Sequence, residues 1–261
     1  MTGPEALIRL TQDLLWLHAL VFLRVAPMIA LFPGFGESAV PVRIRLGVAL
    51  AMTAITAPAL AADAAPLLAA RAGTAPATAW LILTETGIGL MLGIGIRLFV
   101  LALQTAGAIA AQSTSLAQIL GGANITPMPA IGHLLVTGAL ALAMILGLHL
   151  RLAEFVIESY RLFPPARLPA AAGVAAWGTG RVAQAFAMAF TLAAPFVIAS
   201  MLYNLTLGII NRAMPQLMVV FVGAPAITAA GLVLLFLLAP AIIGVWAAGL
   251  GAFLADPVGG G

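Results

Sequence analysis

AMPQLMVVFVGAPAITAAGLVLLFLLAPAIIGVWAAGLGAFLA, residues Ala213 to Ala255, contains no charged side chain. A second stretch, Leu98 to Leu150, carries none either, apart from the titratable His133 and His149. Uncharged runs this long read as helices at membrane depth joined by short turns.

Composition agrees with that reading. Hydrophobic residues make up 63% of the 261-residue chain and charged residues 7%. A soluble chain of this length would carry about 65 charged residues, against eleven arginines and eight acids here. One soluble core cannot enclose so much apolar surface, which excludes an ordinary cytosolic enzyme, a disordered chain and a secreted disulfide scaffold. Lysine is absent, and the pI of 10.6 reflects a net charge of only +3. The arginines are scattered, with no basic stripe interleaved with aromatics, so nucleic acid is not an expected partner. Without cysteine, disulfides, thiolate metal sites and cysteine catalysis are excluded.

Working outward, the first apolar segment runs from about Leu14 to Phe32, about 28 Å of helix. Glu5 and Asp13 spoil a basic leader and no small-x-small site follows, so it is expected to be retained. Further segments fall at about Ile44 to Ala62, Thr78 to Leu103, and Ile131 to Leu150 with a more polar end through Tyr160. Pro164, Pro165 and Pro169 then stop the helix, and the stretch from Phe163 to Thr179 is the best internal boundary. Two long segments, Arg181 to Ala213 and Ala226 to Leu254, precede a tail expected to be mobile.

Pro27, Pro58, Pro195 and Pro240 lie inside apolar segments, where each removes a backbone donor; kinked or broken helices are expected. At membrane depth the freed carbonyls are tolerated only beside protein or water, so these helices should face other helices. The distribution of arginines gives no consistent orientation, and Arg24, Glu85 and Arg97 sit within the apolar segments themselves.

Catalytic and metal motifs are missing: there is no H-E-x-x-H or G-x-S-x-G, and His18, His133 and His149 share no ligand spacing. No enzyme, metal or cofactor is expected. Gly89 and Gly93 form a GxxxG pair suited to close helix packing. A charge at bilayer depth costs on the order of 3 kcal/mol or more, so Arg24, Glu85 and Arg97 require partners. Glu85 could be neutralised by Arg24 or Arg97 as a structural pair, or serve a proton or ion relay.

In PFVIASMLYNLTLGIINRAMPQ (Pro195 to Gln216), residues Asn204, Gly208, Asn211, Arg212 and Pro215 share one helical face. Such a face suits packing on protein, either within this chain or on another subunit. QSTSLAQILGGANITPMP (Gln112 to Pro129) is small and polar where hydropathy indicates membrane depth, and reads as an interhelical loop or a pore-lining constriction.

FLRVAPMIALFPGFGESAVPVRIRLGVALA (Phe22 to Ala51) resembles the N-terminal signature of the FliR family of flagellar export-gate subunits, which are related to the T subunit of virulence type III secretion systems. Arg24, Pro33, Phe35, Gly36, Val40, Pro41, Arg43 and Arg45 carry the match. A second match runs from Pro195 to Pro225 through Pro195, Asn204, Leu207, Gly208, Asn211, Arg212, Pro215, Gln216 and Pro225.

The resemblance implies an all-α, membrane-associated subunit of bent helical hairpins stacked with FliP- and FliQ-like partners, in the bacterial inner membrane at the flagellar basal body. Residues 1–170 would be FliP-like and residues 171–261 a FliQ-like hairpin. It further implies a non-catalytic channel component passing unfolded flagellar substrates, working with FlhB- and FlhA-like proteins and touching membrane lipid. The loop after Gln112 would help close the channel, with Leu116, Ile119 and Leu120 as plug residues and the Asn204 to Pro215 face as subunit packing. The rival is a secondary transporter with Pro-broken helices, which requires convergent ionisable groups and an inverted repeat; neither is found in the sequence.

Overall fold

Pro4, whose missing N–H costs nothing in a first turn, and Glu5, favourable at a helix N-terminus, start helix α1 (Pro4–Leu31). It ends as Phe32 turns extended, at φ −69° and ψ 135°. In this computed structural model residues 3–61, 75–114, 130–214 and 219–259 are described. The remaining helices are α2 (Val42–Ala59), α3 (Ala75–Thr114), α4 (Ala130–Ile145), α5 (Leu148–Leu162), α6 (Ala171–Ala213) and α7 (Val219–Ala255). Among the described residues there is no strand.

Five helical stretches are long and apolar enough to cross a membrane: Leu7–Leu31, Val42–Ala59, Ala75–Ser113, Ala171–Ala213 and Ala226–Ala255. The 40 residues of α3 and the 43 of α6 correspond to about 60 Å or more of helix, twice the roughly 30 Å hydrocarbon thickness. A single upright crossing therefore leaves half of each helix outside the lipid tails.

The chain gathers into two compact units, residues 1–97, 144–179 and 251–261 in one, residues 98–143 and 180–250 in the other. In the first unit, α1 presents Leu17, Leu20, Val21, Val25, Met28 and Ile29, and α3 presents Leu81, Ile88, Leu92 and Ile96, all buried. Both sets follow helical spacing, so each helix turns one stripe inward. Glycine sets how closely the two helices approach. A Cβ on Gly89 would run into the Arg24 carbonyl of α1, and one on Gly93 would sit 3.2 Å from Met28 Cα. Helix α5 is amphipathic, burying Leu148, Leu152, Phe155, Val156, Ser159 and Tyr160 while Arg151, Glu154 and Arg161 face outward. Helix α2 lies on α1 and also meets α5, through small buried residues Ala49, Thr53, Thr56 and Ala57.

In the second unit, the buried residues are Val100, Leu103 and Ala106 of α3, Leu135 and Ala139 of α4, Leu192 and Phe196 of α6, and Leu235, Ile242 and Trp246 of α7. Trp246 is wholly buried and its Nε1–H donates to the Phe99 carbonyl at 2.8 Å. A Cβ on Gly107 of α3 would strike the backbone of Gly132 in α4. A Gly107→Val substitution is therefore expected to lower stability by at least about 1–3 kcal/mol, read as a fall in the unfolding midpoint of the detergent-solubilised protein.

The structure refines the sequence expectations in four places. Pro27, Pro195 and Pro240 lie within continuous helices and α2 ends one residue after Pro58; the Pro27 ring packs where Gly89 leaves room. The segment expected to end at about Leu103 stays helical through Thr114. The segment expected to run from Ile131 through Tyr160 breaks instead between α4 and α5. Gly147, at φ +79°, makes that turn, a conformation that glycine adopts without strain. The tail is also held as far as Gly259: the Pro257 carbonyl accepts from Trp177 Nε1 at 2.8 Å, and Gly259 N–H donates to Asp256 at 2.7 Å.

Candidate functional site

Three arrangements gather the polar residues that an apolar chain must account for. The first is a buried node in the first unit. Arg24 and Glu85 are both 0% exposed and form a two-pronged pair, Nε to Oε2 at 2.8 Å and Nη2 to Oε1 at 3.2 Å. The remaining guanidinium donors go to the Ser159 carbonyl at 2.9 Å and hydroxyl at 3.3 Å, and to the Phe163 carbonyl at 3.0 Å. The Tyr160 ring covers Arg24 at 3.6 Å, a cation–π contact. Arg24 thus caps the C-terminal carbonyls of α5 from another helix, which suits a cation at the negative end of a helix dipole. Glu85 also accepts from the Ala166 N–H at 3.4 Å. Every prong is used, the condition under which a buried charge pair is tolerable.

The second arrangement is the loop between α1 and α2. Arg97 pairs with Glu37 at 2.6 Å, each side chain about a quarter exposed. Arg45 donates from Nε to the Val40 carbonyl at 3.0 Å and from Nη2 to the Glu37 carbonyl at 2.8 Å. Gly36 N–H closes a turn on the Phe32 carbonyl at 2.7 Å. Of the two arginines open to Glu85, Arg24 takes it; Arg97 finds Glu37. On α3, Glu85 and Arg97 are twelve residues apart, about 18 Å along the axis. Each of the two acids is thus neutralised by an arginine of the same unit.

The third arrangement is the end of α6 in the second unit. Asn204, Gly208, Asn211 and Arg212 are exposed there, beside Met201, Leu202, Leu205, Ile209 and Met214. Asn204 reaches Ser200 Oγ at 3.3 Å, and Ser200 in turn donates to the Ser113 carbonyl. Among the described residues Asn211 and Arg212 make no hydrogen bond or ion pair, and no atom lies within 4 Å of a Cβ built on Gly208. Pro215, Leu116, Ile119 and Leu120 fall outside the described residues. Among the described residues no group of three or more acids or histidines could hold a metal ion.

Residues 15–252 match the family model described as Bacterial export proteins, family 1. The chain belongs to this family, the FliR family. Similar members include the flagellar biosynthetic protein FliR of Caulobacter vibrioides, 36% identical over 88% of this chain and 91% of the relative. The FliR proteins of Escherichia coli and Bacillus subtilis are 29% and 27% identical, covering 88% and 85% of this chain and 88% and 86% of theirs.

Within this FliR-family chain the two signature segments have different surroundings. Arg24 and Arg45 of the first are consumed by internal bonds, one in the buried node and one in the loop. Asn204, Gly208, Asn211 and Arg212 of the second lie open on α6. Sequence reading missed Glu37 as the partner of Arg97; the signal was its place as the one acid between Asp13 and Asp63. It also missed Ser159, Phe163 and Ala166, which act largely through backbone atoms and leave no side-chain signature.

Proposed function

We propose that the chain is a non-catalytic channel subunit of the flagellar protein-export gate, assembling with FliP- and FliQ-like subunits in the bacterial inner membrane at the basal body. The observation that carries this reading is the family match over residues 15–252, with relatives named FliR aligned along most of their own length. The open end of α6 supports it. A helix exposed on nearly every side, with two amides and an arginine among its apolar residues, is unfavourable in lipid and suits burial against partner helices. In this reading Asn204, Gly208, Asn211, Arg212 and Pro215 form the subunit-packing face, and residues 171–261 the FliQ-like hairpin. The Arg24–Glu85 pair is structural, with the remaining Arg24 donors spent on Ser159 and the Phe163 carbonyl. FlhB- and FlhA-like proteins would complete the gate and unfolded flagellar subunits would be its cargo.

An in-frame deletion tests the function. Cells lacking the gene are expected to make flagellin but no filament, with export restored by the wild-type copy. Normal motility in the deletion strain would overturn the reading.

A further inference from the structure

The connection from α5 to α6, residues 163–170, is held at closely spaced points by other parts of the first unit. The Phe163 carbonyl accepts from Arg24 of α1 at 3.0 Å. Ala166 is held at both ends of its peptide from α3, with its N–H on Glu85 at 3.4 Å and its carbonyl accepting from Trp80 Nε1 at 3.2 Å. Leu168 lies over Gly87, also of α3, at 3.9 Å from where a Cβ would project. Ala166 is also the one non-glycine residue with positive φ among the described residues, at +61°. For an alanine that conformation is strained and persists only where its surroundings over-determine it.

The attachments differ in kind. Arg24 and Glu85 are fully buried, whereas the Trp80 side of the bond is exposed, with Trp80 about half accessible. The connection itself is short of apolar anchorage: Arg167 and Leu168 are exposed, and Pro164 and Pro165 provide no N–H groups to bind it further. A strained segment secured mainly by polar bonds at a few points has the composition of a local, low-stability opening unit. Leu81, Ile88, Val25 and Phe155, all outside the connection, are buried apolar residues of the same unit.

We propose that residues 163–170 form a strap latched onto α3 by Trp80 and Glu85 and onto α1 by Arg24, and that this strap opens as a unit while the helices of the first unit remain folded. Its strain at Ala166 biases it toward release. The Arg24–Glu85 pair is then more than a neutralised charge, because it holds the connection shut.

Trypsin reads the strap directly, since Arg167 lies within it and Arg9 and Arg151 lie on helices outside it. In the full-length protein in detergent, Trp80→Phe is expected to raise the cleavage rate at Arg167 several-fold with Arg9 and Arg151 cleaved at the wild-type rate, and Glu85→Gln to raise it at least tenfold, by more than at Arg9 and Arg151. Ala166→Gly, which removes the left-handed strain and keeps both bonds, is expected to slow cleavage at Arg167 a few-fold. Trp80→Phe perturbs an exposed bond alone, so it serves even if Glu85→Gln fails to fold. Unchanged cleavage at Arg167 in Trp80→Phe, or an equal rise at all three arginines, would overturn the proposal.

Discussion

Glu85→Ala is expected to lower stability by about 3–5 kcal/mol, because it strands the Arg24 guanidinium without its counter-charge in a site that no water reaches. Arg24→Met should cost a comparable amount. It leaves Glu85 unpaired and frees the Ser159 and Phe163 carbonyls. A double variant, Arg24→Met with Glu85→Leu, removes both buried charges and is expected to recover a large part of the loss. Recovery should be incomplete, since the part-buried Phe163 carbonyl and Ala166 N–H lose their side-chain partners, while the Ser159 carbonyl keeps the Phe163 N–H. Unfolding in detergent of the wild type, both single variants and the double variant gives the coupling energy. Losses that simply add would show that the two residues do not act as a pair.

Much of the fold is legible in composition and periodicity. The two uncharged runs mark membrane-grade helices, and α2 and α7 fall close to the segments that hydropathy draws. Boundaries are less legible, because α3 and α6 extend by a dozen residues through Ala-, Gly- and Thr-rich sequence whose helical state depends on neighbours more than on propensity. The bend at Gly147 is hidden for a related reason. A lone glycine in an apolar run is also compatible with a straight helix, and only the backbone reveals its positive φ. At the sites, the need for partners at Arg24, Glu85 and Arg97 follows from the cost of buried charge, but which partner each finds depends on helix register across 60 residues or more.

The second large effect is expected at the end of α6. Gly208 has open space around it within this chain, so Gly208→Leu should leave the stability of the isolated protein within about ±0.5 kcal/mol. A helix that approaches another closely at glycine cannot accept the larger side chain. The same substitution is therefore expected to reduce recovery of FliP- and FliQ-like partners at least tenfold and to abolish swimming. Leu205→Ala, on a purely apolar part of the same surface, should have a much smaller effect. If Gly208→Leu instead supports normal motility and normal partner recovery, the face belongs to lipid or water and the packing role is wrong.

The chain contains no cysteine, so a single thiol introduced by Gly208→Cys reports on one position alone. In cells expressing the partner subunits, a short thiol-to-amine or photoactivated crosslinker at residue 208 is expected to yield one dominant adduct identified by mass spectrometry as a FliP- or FliQ-like protein. Crosslinking exclusively to lipid, with no adduct to either partner in an otherwise functional strain, would contradict the account.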